Sequence, residues 1–113
     1  MRSTRKGPVW VVALRGDFDP EDLDAVEEAT AQALDSFDGP VVFDLGALGF
    51  CDSSLLNHLI RMANQRSVAL VGVGRLVQRL LAVTGLDDYF AQYPDLTTAR
   101  EALTRNPNPF EQA

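Results

Sequence analysis

Two neighbouring serines, Ser53 and Ser54, are the residues of this chain best suited to carry a chemical modification. They follow Asp52, a glycine-containing turn and the strand-like run of residues 41–45. The residues after them place apolar side chains at the spacing of one helical face, so both serines lie at a predicted helix N-terminus. A phosphate on a hydroxyl there would face the positive end of the helix dipole. The pattern therefore indicates a phosphorylation switch.

Helix capping is the alternative role for the same side chains. Asp and Ser are preferred caps because their oxygens accept hydrogen bonds from the N–H groups that the first helical turn leaves unpaired. The two roles are compatible, since the helix N-terminus tolerates the charge of a phosphoserine.

Apolar runs with strand and helix patterns alternate along the chain. Strands are predicted at residues 9–14, 41–45 and 68–73, and helices at residues 20–37, 52–65 and 75–84, with a short last helix opened by a capping box at residues 98–101. Residues 46–49 are predicted to form a turn, and Leu76, Leu80 and Val83 are predicted to face the core. This order favours an α/β fold with a central, largely parallel or mixed sheet of about four strands and about four helices.

The predicted topology brings acidic and hydroxyl groups together. Loops that leave the carboxyl ends of parallel strands meet at one edge of the sheet, so Asp17 and Asp19 are expected to lie near Ser53 and Ser54. A phosphate beside those carboxylates would be repelled by them and would also repel an anionic ligand held by a partner. The edge is therefore predicted to act as a binding switch.

Composition excludes several classes of function. The 113 residues carry a net charge of −6, which disfavours direct binding to nucleic acid, because such binding depends on clustered Lys and Arg. No apolar stretch is long enough to span a bilayer, and no apolar signal core follows the basic N-terminal residues. We expect one cytoplasmic domain over residues 1–105, a flexible tail over residues 106–113, and no membrane insertion.

The single cysteine and the single histidine are expected to be structural. Cys51 is predicted to be a small buried hydrophobe, and His58 to lie on a helix surface or at its boundary. One Cys and one His leave too few ligands for a zinc ion. We therefore predict no cofactor and no metal site.

The chain resembles the STAS domain, and in particular the single-domain anti-sigma factor antagonists of bacteria. Three motifs in the family's order carry the resemblance: LRGDFD at residues 14–19, FDL and FCDSS at residues 43–45 and 50–54, and RLLAVTGLDDYF at residues 79–90.

The resemblance implies partner switching by a protein with no catalytic residues of its own. The unphosphorylated antagonist binds an anti-sigma factor serine kinase and frees a sigma factor for transcription. The kinase then phosphorylates it and releases it, and a phosphatase resets it. The family's acceptor maps onto Ser53, with Ser54 as the weaker candidate. The implied partner-binding residues are Asp17, Asp19, Asp52, Ser53, Ser54 and Leu55.

Two departures from the family pattern keep other functions open. Leu55 stands where the family usually has glycine, which favours a non-switching STAS scaffold in a membrane transport or stress-sensing complex. Only basic and polar residues precede Val9, where the family commonly has another strand, so we expect one strand fewer. A third alternative is a small-ligand or nucleotide sensor that uses the loop from Gly72 to Arg75, although no nucleotide fingerprint is complete there.

Overall fold

The computed structural model describes residues 1–107. Within them the chain forms five strands, four α-helices and one 3₁₀ turn. The strands are β1 (Arg2–Lys6), β2 (Val9–Asp17), β3 (Val41–Phe50), β4 (Val68–Val71) and β5 (Ala91–Tyr93). The helices are α1 (Leu23–Ser36), α2 (Ser53–Ala63), α3 (Arg75–Val83) and α4 (Leu96–Arg105), and the 3₁₀ turn (Pro20–Asp22) precedes α1.

The strands form one mixed sheet in the order β1-β2-β3-β4-β5. Strand β1 runs antiparallel to β2, and the other neighbours are parallel. Side chains on alternate sides of the strands build two cores, because both faces of a parallel sheet are covered by helices. One core contains Val12, Phe43 and Leu70 with residues of α1, α2 and α3, and the other contains Val11 and Val42 with residues of α4. The predicted α/β architecture is confirmed.

Strand β1 corrects the expectation of one strand fewer. Its residues pair with β2 from Arg2 opposite Ala13 to Lys6 opposite Val9, and the turn between the strands uses Gly7 at a φ of +61°. The side chains of β1 are polar and almost all exposed, so the strand lacks the alternation of apolar residues that marks a strand in a sequence. The backbone ladder at the edge of the sheet holds it instead.

Strand β3 continues through the residues that were predicted to turn. Ala47 and Leu48 pair with the end of β2, across irregularities in the register. Gly46 lies against Gly72, where a Cβ atom at Gly72 would come within 2.9 Å of the Gly46 Cα and the backbone φ is +66°. Close packing of the two backbone segments and a left-handed conformation therefore explain why residue 72 is glycine, without a bound phosphate.

Helix α3 is rotated relative to the prediction. Leu76 is 62 % exposed and Val83 is 78 % exposed, whereas Val77 and Leu81 are buried; Leu80 is half-buried. The predicted inward face was thus wrong for Leu76 and Val83. Two apolar stripes run along this nine-residue helix, and spacing alone cannot show which of them meets the sheet.

The last helix begins earlier than predicted. Asp95 caps α4, and its carboxylate accepts a hydrogen bond of 2.7 Å from the Thr98 backbone N–H. The predicted opening at Thr98 was therefore wrong by one turn. Of the predicted flexible tail, Asn106 and Pro107 are outside regular structure, and residues 108–113 lie outside the described residues.

Candidate functional site

The carboxyl ends of β2 and β3 place the candidate residues at one edge of the sheet. Asp17 is in register with Phe50, and the Phe18 backbone N–H donates a 2.8 Å hydrogen bond to the Phe50 carbonyl oxygen. This bond joins the loop that leads into α1 to the loop that leads into α2. The structure thus brings Asp17 and Asp19 to the same edge as Asp52 and Ser53.

The first loop presents exposed carboxylates. Asp17 and Asp19 are both exposed. An added Cβ at Gly49 would lie 3.0 Å from an Asp17 carboxylate oxygen, so this glycine leaves room for the acid. Asp19 precedes Pro20 at the start of the 3₁₀ turn, and its backbone N–H donates a 2.8 Å bond to the Asp22 carboxylate. This hydrogen bond connects Asp19 to the 3₁₀ turn that leads into α1.

Asp52 is the N-cap of α2. Its carboxylate accepts a 3.0 Å hydrogen bond from the Ser54 backbone N–H and another from the Ser54 hydroxyl. The Ser54 side-chain bond, followed by backbone N–H bonds, holds the pKa of Asp52 below its ordinary value. The predicted capping role belongs to Asp52, with Ser54 as the residue that it binds.

Ser53 differs from Ser54 in both exposure and bonding. Ser53 is the first residue of α2 and its side chain is exposed, whereas Ser54 is half-buried. Within residues 1–107 the Ser53 hydroxyl makes no hydrogen bond, while the Ser54 hydroxyl is engaged by Asp52. Of the two hydroxyls, that of Ser53 is the more accessible to another protein.

Leu55 and Cys51 belong to the core. Leu55 is 0 % exposed and Cys51 is also buried. Leu55 therefore has no side-chain surface to offer to a partner. Burial, and then the charge of Asp52, raise the pKa of the Cys51 thiol, which agrees with the predicted role of a small buried hydrophobe.

His58 is buried, so its predicted surface or boundary position was wrong. It is 6 % exposed, and its Nε2 lies 2.9 Å from the Thr30 hydroxyl on α1. Its Nδ1 has no hydrogen-bond partner within the described residues. Burial, assisted by the positive charge of Arg61 and opposed by Glu27, lowers the pKa of His58. Because Arg61 and Glu27 also form a 3.3 Å ion pair, a polar contact joins α1 to the helix that carries Ser53.

The buried histidine gives the protein a pH-dependent stability. The unfolded chain takes up a proton near pH 6.5, whereas folded His58 resists protonation. The free energy of unfolding should therefore fall as the pH drops below about 6.5, by at most about 1.4 kcal/mol per pH unit from this group. Urea unfolding at pH 7.5 and 5.5 should show a smaller pH effect in His58→Gln than in the original protein. Titration of the single histidine by NMR at or above its ordinary pKa would contradict this expectation.

No group of three or more His, Cys, Asp or Glu side chains within residues 1–107 is arranged to hold a metal ion. In the same part of the chain, no helix is both long and apolar enough to cross a membrane.

Comparison with known proteins gives the family. The STAS_2 family model, described as "Mlab, STAS domain", matches residues 1–98. No curated protein sequence matches significantly. An anti-sigma factor antagonist from Mycobacterium paratuberculosis is 30 % identical, with a TM-score of 0.80 over 91 % of this chain and 92 % of that one.

More distant structures share the fold. A STAS-domain anti-sigma factor antagonist from Planctomyces limnophilus is 21 % identical, with a TM-score of 0.79 over 90 % of this chain and 95 % of that one. The Bacillus cell fate determinant SpoIIAA in its phosphorylated form is 15 % identical, with a TM-score of 0.66 over 92 % and 96 %. From the family-model match and the Mycobacterium relative together, the chain belongs to the STAS-domain family, as its three motifs indicated.

Proposed function

We propose that this protein is an anti-sigma factor antagonist controlled by phosphorylation at Ser53. The observation that carries the proposal is the exposed Ser53 hydroxyl at the start of α2, which makes no hydrogen bond within residues 1–107 and lies at the same edge of the sheet as Asp17, Asp19 and Asp52. The similarity to the Mycobacterium anti-sigma factor antagonist supports the same role.

The switch begins with the unphosphorylated form. It binds an anti-sigma factor serine kinase through the exposed edge and so frees a sigma factor for transcription. The kinase transfers the γ-phosphoryl group of ATP to the Ser53 hydroxyl: a bond from Oγ to phosphorus forms, the bond to the β-phosphate oxygen breaks, and ADP and a proton leave. A phosphatase reverses the modification by hydrolysis.

Charge at the contact surface explains the release. The phosphate adds about −1.5 to −2 of charge to an edge that is already acidic. The N-terminus of α2 tolerates this charge locally because the helix dipole is positive there. The modified protein therefore keeps its fold, while the surface that met the partner becomes more anionic and more bulky. Leu55 is left out of this surface because its side chain is buried.

A second candidate is a STAS scaffold that is never phosphorylated. The description of the matching family model names Mlab rather than an anti-sigma factor antagonist, and this observation favours the scaffold. Leu55 does not favour the scaffold, because its side chain is buried and leaves the Ser53 hydroxyl accessible.

Recovery of the protein from its own cells tests the proposal. The tagged protein should copurify with an ATPase-type anti-sigma kinase, and mass spectrometry should find phosphate on Ser53. With the recovered kinase and ATP, Ser54→Ala should still be labelled, because the Ser54 backbone bond to Asp52 remains, whereas Ser53→Ala should not. An unmodified protein bound to transporter or sensor subunits would instead establish the scaffold.

A further inference from the structure

An apolar groove lies beside the proposed switch. It runs between the end of β3 and α3, encloses about 380 Å³, and is called the α3 groove here. Its lining includes Phe50, Asp52, Leu76, Arg79, Leu80 and Val83.

Large hydrophobic side chains of the α3 groove face outward. Phe50 is 55 % exposed, and Leu76 and Val83 are more exposed still. Side chains of this size seldom cluster on a surface without a partner to cover them. The groove also includes Asp52, the residue immediately before Ser53. A protein seated in the α3 groove would therefore be next to the Ser53 hydroxyl.

The spacing of the apolar side chains on α3 suits contact with a second helix. Leu76, Leu80 and Val83 stand at positions i, i+4 and i+7 of α3, which is the ridge that packs into the groove of a second helix. An amphipathic helix binds such a surface with apolar residues at the same spacing.

The charge at the border of the α3 groove limits which helix fits. Arg75 and Arg79 are exposed on α3, and neither forms a salt bridge within residues 1–107. Arg79 lines the groove and Arg75 lies one turn before it on α3, so the two form a basic border on a chain whose net charge is −6. Carboxylates that flank the apolar face of an incoming helix would complement these two arginines.

We propose that the α3 groove is the docking site for an amphipathic helix of the partner kinase, with acidic residues beside its apolar face. This inference rests on the proposed function and names the surface that brings the kinase to Ser53. The α3 side chains that would hold the helix are not those at which phosphoryl transfer to Ser53 takes place. Loss of docking should therefore raise the KM for this protein as a kinase substrate and leave kcat nearly unchanged.

The kinase recovered with the protein is the probe for this surface. Leu76→Asp and Arg79→Glu are both substitutions of exposed side chains, and circular dichroism should show the original fold for each. Each should weaken binding of the unphosphorylated protein by at least about tenfold and raise KM similarly, with kcat changed less than twofold. Gln78→Ser, at an exposed position of the same helix outside the groove lining, is the matched control and should behave like the original protein.

The outcomes separate the docking site from the switch. If the original protein is bound and phosphorylated while Leu76→Asp and Arg79→Glu match Gln78→Ser, the docking site is wrong and the switch stands. If the recovered kinase neither binds nor phosphorylates the original protein, both proposals fail. Sedimentation provides a further check: self-association that Leu76→Asp abolishes, without an effect on kinase binding, would assign the groove to a second copy of this chain and overturn the proposal.

Discussion

Replacement of Leu55 by alanine should lower the free energy of unfolding by about 2–5 kcal/mol. Leu55 is completely buried in the core between α2 and the sheet. Removal of the Cγ methine and the two Cδ methyl groups reduces apolar burial and leaves a cavity that the surrounding side chains fill only in part. Urea unfolding followed by circular dichroism measures the loss.

Leu76 on α3 provides the matched control for Leu55. It is the same residue type but is largely exposed, so Leu76→Ala should change the free energy of unfolding by less than about 0.5 kcal/mol. Equal effects of the two substitutions would show that Leu55 does not occupy the core position described here.

The central elements could be predicted from the sequence because burial leaves a periodic pattern. Strands β2, β3 and β4 carry apolar runs, and α1 and α2 carry apolar faces. The alternation of strands and helices could therefore be predicted from the sequence. Strand β1 is polar and exposed at the edge of the sheet, and β5 has three residues. Neither leaves such a pattern, because backbone pairing with a neighbouring strand is what defines each of them.

The candidate site was predictable where it depends on local rules. Asp52 and the two serines follow a strand and precede an apolar helical face, which indicates a capped N-terminus. Parallel topology then brings Asp17 and Asp19 to the same edge. The α3 groove and the burial of His58 could not be predicted in this way, because both depend on how helices rotate against their neighbours. The sequence did contain a clue to the groove. Helix α3 has a second apolar stripe, formed by Val77 and Leu81, and when this stripe faces the core the first one faces outward.

Substitution of Ser53 by aspartate should weaken binding of the partner kinase by at least about tenfold, or about 1.4 kcal/mol. The new carboxylate adds negative charge and bulk at the exposed edge of the sheet that also carries Asp17 and Asp19, where a phosphate would act in the same direction. Isothermal titration calorimetry with the recovered kinase measures the change. Ser53→Ala should bind as well as the original protein, because it adds no charge.

The effect on stability separates a switch from a damaged fold. A carboxylate in the first turn of α2 faces the positive end of the helix dipole, so Ser53→Asp should leave the free energy of unfolding unchanged or raise it by about 0.3–1 kcal/mol. Asn57→Asp is the matched control, since it adds the same charge at an exposed position one turn further along α2. Weaker binding only for Ser53→Asp, without loss of stability, identifies residue 53 as the place where charge controls the partner. Equal binding by Ser53→Asp, Asn57→Asp and the original protein would leave only the scaffold function.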